Sequence, residues 1–151
     1  YPLPRISDQE LEFLHRTARR LSETTDKALF GWFNGSIFEQ SQFLCGWDEF
    51  LMNLYAAPAL ADALLEKLTR WVLGDLEPYL QVVGEYLQVI GFGDDLGIQG
   101  GLQVAPEVFR RSVKPRLARI YAAAHQGTKA RVFLHSCGSV RDLIDAIRRR
   151  S

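Results

Sequence analysis

In the stretch SDQELEFLHRTARRLSETT, apolar residues fall at Leu11, Leu14, Ala18 and Leu21, intervals that place them on one helical face. Ser7 and Glu10 precede them in capping-box spacing, so a helix is predicted to start there. The rhythm then changes. KALFGWF (27–33) is short, aromatic-rich and closed by Asn34-Gly35, the pattern of a strand leaving into a loop. SIFEQSQFLC and WDEFLMNLY read as two short helices. Pro58 suits the first turn of the next helix, PALADALLEKLTRWVLGDL, whose far end is blurred by Pro78 and Gly84. EYLQVIGF (85–92) is the second strand, followed by the polar, glycine-rich loop GDDLGIQGG. Pro106 opens a helix reaching about His125, and Pro115 inside it is predicted to kink or divide it. ARVFLHS (130–136) is the third strand, and SVRDLIDAIRRR the helix after it.

Strands separated by long helical segments argue for an α/β fold with a parallel sheet and right-handed crossovers. Three strands make a poor closed sheet but a good fraction of an eight-stranded barrel. The expected architecture is therefore a partial (β/α)8 TIM barrel of about three parallel strand–helix units. No linker or low-complexity tract divides residues 1–151, which are expected to form a single domain. The chain starts without methionine and stops just after a helix-like segment, as a piece of something longer would.

Composition removes several function classes. Hydrophobic residues make up 47% and charged residues 24%, with a formal net charge of zero. That balance gives no electrostatic case for nucleic acid or an anionic membrane as a partner. No apolar run approaches the roughly 20 residues needed to span a bilayer, and YPLPRISDQE lacks the basic-then-apolar order of a signal peptide. Cys45 and Cys137 are too few for a disulfide framework, so a cytoplasmic location is expected.

The chemistry concentrates at the strand ends. His135 and Cys137 stand two apart, so alternation puts them on one face, toward the barrel axis at the C-terminal end where barrel enzymes keep their active sites. An imidazole nitrogen and a thiolate are donors zinc favours. The spacing alone suits equally a buried cysteine packed as a small hydrophobe beside a backbone-bonded histidine. Two donors also fall short of the usual three or four protein ligands. Cys45, between Leu44 and Gly46 on an apolar helix, reads as core.

Asp94 and Asp95 follow the second strand and are the candidate catalytic residues. Adjacent loop carboxylates diverge, so a shared-proton pair is not expected. One facing the pocket could bind a cation, move a proton or orient a substrate; the plainer role is capping nearby backbone. Asn34 and Glu39 after the first strand, and Gln99 in the second loop, are candidate contacts to a small-molecule substrate. Trp32, Phe33 and Phe38 belong to the core or to an apolar pocket wall. GFGDDLG is not the G-x-G-x-x-G fingerprint and does not feed directly into a helix, which rejects a dinucleotide site.

Together, KALFGWFNGSIFEQSQFLCGWDEFL, GFGDDLGIQGGLQVAPEVFRRSVKPRLARIY and ARVFLHSCGSVRDLID resemble, in order and spacing, the uroporphyrinogen decarboxylase superfamily. The resemblance covers nearly the whole chain from Lys27 onward and rests most on GDDLG, PEVFRRSVKPRL and FLHSCGS. It implies a (β/α)8 barrel of which this chain holds the middle portion. The superfamily contains true decarboxylases and corrinoid-dependent methyltransferases whose zinc activates a thiol acceptor. In the decarboxylases the loop after the first of these strands carries a tyrosine that meets the porphyrinogen; Gln42 occupies that place. The methyltransferase branch uses a His-x-Cys pair, present as His135 and Cys137, with a third ligand typically a cysteine further along, beyond Ser151.

The resemblance therefore implies a methyltransferase-like enzyme with zinc on His135 and Cys137 and a corrinoid carried by a partner protein. The alternative is decarboxylation of uroporphyrinogen or a related carboxylated substrate with no cofactor. A third expectation is a barrel fragment without turnover, whose unpaired strand edges favour association into a homo-oligomer.

Overall fold

The computed structural model describes residues 3–148. A first helix, α1 (Asp8–Thr24), starts at the predicted capping box: the Ser7 hydroxyl accepts from the Glu10 N–H, and the Ser7 N–H donates to the Glu10 carboxylate at 2.8 Å. Then come β1 (Phe30–Asn34), the short helices α2 (Phe38–Cys45) and α3 (Trp47–Ala56), and the long helix α4 (Pro58–Val83). Next are β2 (Val89–Gly93), a small hairpin of β3 (Gly97–Ile98) and β4 (Gly101–Leu102), and the one-turn α5 (Pro106–Val108). A π-helical turn at Phe109–Val113 leads into α6 (Lys114–Gly127), followed by β5 (Arg131–His135) and α7 (Ile144–Arg148).

The main sheet has the order β1-β2-β5, and both pairings are parallel. Helix-containing crossovers separate its strands, which makes it three successive strand–helix units of a (β/α)8 barrel. One face packs on helices. Phe33 leans on Tyr79 of α4 and on Phe92, and Phe92 meets Tyr121 of α6 edge-on. Ile90 and Phe92, fully buried, join Leu65, Leu68 and Leu76 from α4 and Ile120 from α6 in one core. Each such side chain contributes about 1.5–3 kcal/mol of burial free energy. Ion pairs Arg116–Asp62 (3.1 Å) and Arg119–Glu66 (2.7 Å) tie α6 to α4.

The other face carries Phe30, Trp32, Phe133 and His135, each about half exposed. This is the side that lines the axis of a barrel. Gly91 makes room for it, because a Cβ there would lie 2.5 Å from the Trp32 ring and 2.6 Å from Phe30.

Three elements differ from the sequence expectation. Helix α4 runs past Pro78 to Val83, since Tyr79, Leu80 and Val83 are all buried and their packing offsets the roughly 3 kcal/mol cost of an interior proline. The glycine-rich loop after β2 folds into the β3–β4 hairpin. The last helix begins with a 3-10 turn at Arg141–Leu143 before α7; residues 149–150 of the expected helix lie outside the described ones. The division predicted at Pro115 is present: the missing N–H is accommodated by the π-helical turn just before it. Among the described residues, no helix is long and apolar enough to cross a membrane.

Candidate metal centre

Parallel pairing of β2 with β5 puts Gly93 opposite His135, so the loops leaving these strands emerge side by side. The Asp94 N–H donates to the His135 carbonyl at 3.0 Å, extending the ladder one step past the strands. Beyond it the two loops are tied together. The Leu96 N–H donates to Ser136 Oγ (2.9 Å), and the Ser139 N–H to the Ile98 carbonyl (2.8 Å). Gly138 adopts the left-handed region at φ 77°, and a Cβ on it would sit 2.3 Å from the Gly97 carbonyl carbon. Only glycine permits that backbone approach.

This frame fixes three donor atoms. His135 Nε2 and Cys137 Sγ lie 3.4 Å apart, and Asp95 Oδ1 stands 4.0 Å from His135 Nε2. The same carboxylate accepts the Cys137 N–H at 2.7 Å. All three donors lie within 4.8 Å of one another. The His135 side chain is 52% exposed and Asp95 29%, so the cluster opens to solvent. Asp95 holds the Cys137 thiol above its ordinary pKa, by hydrogen bonding and by its negative charge. A nitrogen, a sulfur and a carboxylate oxygen form a donor set that suits zinc, and a cation there would relieve the crowding of an anionic carboxylate against a thiol.

The neighbouring carboxylates have separate roles. Asp94 turns inward, 2% exposed, and accepts the N–H groups of Ile37 (3.1 Å), Phe38 (3.0 Å) and Glu39 (2.8 Å). It is the acceptor for the start of α2. Burial pushes its pKa up to about 6, against the pull of the three amides. Of the two roles weighed for Asp94, its contacts match capping: both oxygens accept backbone N–H groups and are closed off from the mouth. Asp95 is the member of the pair that reaches the cluster.

Glu39, in the first turn of α2, is partly buried; desolvation and the charge of Asp95 raise its pKa, while His135 acts in the opposite sense. Asn34 ends β1 at φ 70°, exposed, with Oδ1 over Gly93. Gln99 occupies the exposed turn of the β3–β4 hairpin. Cys45 is exposed at the end of α2 rather than in the core.

Two further residues border the cluster, Trp32 with its pocket-wall alternative already open from the sequence and Gln103 unmarked by it. Trp32 stands edge-on to the His135 imidazole, ring centroids 6.4 Å apart, and forms the aromatic wall of the cluster. Gln103 donates to the Asp95 carbonyl (2.9 Å) while accepting from Gln42 (2.7 Å) and the Trp47 indole (3.0 Å), which braces the Asp95 loop against α2 and α3. The strand register places Trp32 on the His135 side and could have been read from alternation. Nothing in the local pattern marks Gln103. Two of the three arginines of PEVFRRSVKPRL hold the scaffold: Arg111 donates to the Leu54 carbonyl and Arg116 pairs with Asp62.

A family model described as uroporphyrinogen decarboxylase (URO-D) matches residues 2–150. A solved structure, a methyltransferase from Methanosarcina mazei, superposes with a TM-score of 0.66 at 16% sequence identity, over 92% of this chain and 40% of that one. This chain therefore spans less than half the length of that relative. No curated protein matches the sequence.

Proposed function

The chain belongs to the uroporphyrinogen decarboxylase family, and we propose that it is the metal-bearing part of a methyltransferase that passes a methyl group from a corrinoid, carried by a partner protein, to a thiol. The observation that carries this reading is the 3.4 Å approach of His135 Nε2 to Cys137 Sγ at the strand ends. These two residues would hold zinc. When bound, zinc supplies the positive charge that keeps an acceptor thiol deprotonated at neutral pH.

The chain's own residues do the rest. Gly97 and Gly138, in backbone contact, hold the Cys137 loop at the end of β2. Trp32 stands edge-on beside the His135 ring and gives the metal-side pocket an aromatic wall. Glu39, whose carboxyl keeps its proton more readily than an ordinary glutamate, borders the cluster and can take or give a proton near the acceptor. Asp94 holds Glu39 in place through its amide. Asn34 at the rim is available to orient the substrate.

The test is methyl transfer from methylcobalamin to a small thiol, followed with and without zinc. The expected result is a zinc-dependent rate that falls at least about 100-fold in both His135→Ala and Cys137→Ala. A rate that ignores zinc and both substitutions would contradict the reading. Glu39 supports a second reading, cofactor-free decarboxylation, in which its proton ends on the carbon that loses carbon dioxide. Zinc-independent turnover of uroporphyrinogen would favour that one.

A further inference from the structure

We propose that Gln103 is a positioning residue for Cys137, acting through Asp95: its side-chain amide ties α2 and α3 to the loop whose carboxylate holds the Cys137 backbone. The inference rests on the reading of Cys137 as a zinc-binding thiolate and concerns how that thiol is held.

The ladder between β2 and β5 ends where the Asp94 N–H meets the His135 carbonyl. Past that point the Cys137 N–H, in place of a strand partner, donates to Asp95 Oδ1 at 2.7 Å. A side chain guides backbone less firmly than a strand does, because it keeps its own rotamers unless something fixes them. Gln103 fixes Asp95 from the other side: its Nε2 donates to the Asp95 carbonyl at 2.9 Å.

An amide suits these partners, because it offers an acceptor and a donor side by side. The Trp47 indole N–H can only donate, and the Asp95 carbonyl can only accept. Gln103 meets both. Its Oε1 accepts from Trp47 (3.0 Å) and from Gln42 Nε2 (2.7 Å), while its Nε2 turns to Asp95. The indole therefore also fixes which way round the amide lies. A glutamate here can accept from Trp47 and Gln42 but has no proton for the Asp95 carbonyl, and a methionine can do neither.

Gln103 is itself anchored. Its N–H donates to the Leu96 carbonyl (3.0 Å), across the ends of the β3–β4 hairpin, and the Ala105 N–H donates to the Tyr55 hydroxyl of α3 (3.2 Å). The Gln42 and Asp95 bonds of Gln103 are partly buried, so water competes less for them than for exposed ones. A continuous hydrogen-bonded path thus runs from α2 and α3 through Gln103 and Asp95 to the Cys137 N–H.

Hydrogen exchange at the Cys137 amide, measured by NMR on the metal-free protein, tests the assignment with neither activity nor zinc. Each variant is first confirmed folded by its melting curve. Gln103→Glu keeps the ties to Trp47 and Gln42 and loses the bond to Asp95; Gln103→Met loses all three. Both are expected to speed exchange at Cys137 at least about fivefold, with Ile90 and Phe92 in the sheet unchanged. With Asp95→Ala already present, Gln103→Met should add less than about twofold, since its path to Cys137 is gone. An unchanged Cys137 amide in both Gln103 variants, or the same acceleration without the Asp95 carboxylate, overturns the proposal. Zinc affinity, measured by competition with a chelating dye, should fall about tenfold or more in Gln103→Met, as it does when the support of a ligand is removed. A zinc-binding parent whose affinity Gln103→Met leaves within about twofold also overturns it. A parent that binds no zinc, with Cys137 exchange responding as expected, removes the metal reading and leaves the Gln103 path standing.

Discussion

Asp94 and Asp95 are neighbours in sequence with opposite surroundings. One is closed inside the fold against three amides, and the other meets a thiol at an open loop. Removing the Asp94 carboxylate by Asp94→Ala leaves the N–H groups of Ile37, Phe38 and Glu39 without their acceptor, and should lower unfolding stability by about 3 kcal/mol in urea titration. Its pH dependence has a definite sign. With a folded pKa of about 6 above an ordinary 3.8, the folded protein binds this proton more tightly than the unfolded chain. Its contribution is then fully present below pH 4 and is lost as pH rises through 6. The stability of the parent relative to Asp94→Asn should decline over that window; a flat difference would contradict the burial of this charge. The sequence could show two adjacent carboxylates that diverge, but not which one turned inward. That choice is made by where the start of α2 lies, a tertiary fact.

At the scale of elements, the site is two loops locked by glycine. Gly138→Ala forces a left-handed alanine against the Gly97 backbone. It should cost about 2 kcal/mol of stability and weaken metal binding as well, since Cys137 is the preceding residue. Thermal melts and zinc titration of the variant check both; unchanged zinc affinity would show that the loop contact does not position the thiol. The strands, the opening capping box and the break before Pro115 were legible because each has a local cause: alternation, side-chain spacing, a missing N–H. The length of α4 was not, because burial of Tyr79, Leu80 and Val83 outweighs the proline penalty only once α4 is packed. The β3–β4 hairpin was hidden for a similar reason. Its two-residue strands are too short to produce a pattern.

Across the whole molecule, the sheet has a covered face and an open one. Helices α4 and α6 bury one side, while Phe30, Trp32 and Phe133 remain about half exposed on the side that lines a barrel axis. The match to 40% of the Methanosarcina mazei methyltransferase fits this, since a sector of a barrel leaves its inner face uncovered. His135 lies on that inner face, at the C-terminal end of its strand, and Cys137 follows it at the mouth. Alternation within ARVFLHS located the pair from sequence. The convergence of Asp95 on it depends on β2 and β5 being adjacent, which no local pattern specifies. The proposed function requires a metal at this mouth, which the zinc content of the protein measures. Protein purified without chelators should carry about one zinc per chain, falling below about a tenth in His135→Ala and in Cys137→Ala. Protein that holds no zinc, or holds it equally well without either side chain, would contradict a zinc site on His135 and Cys137.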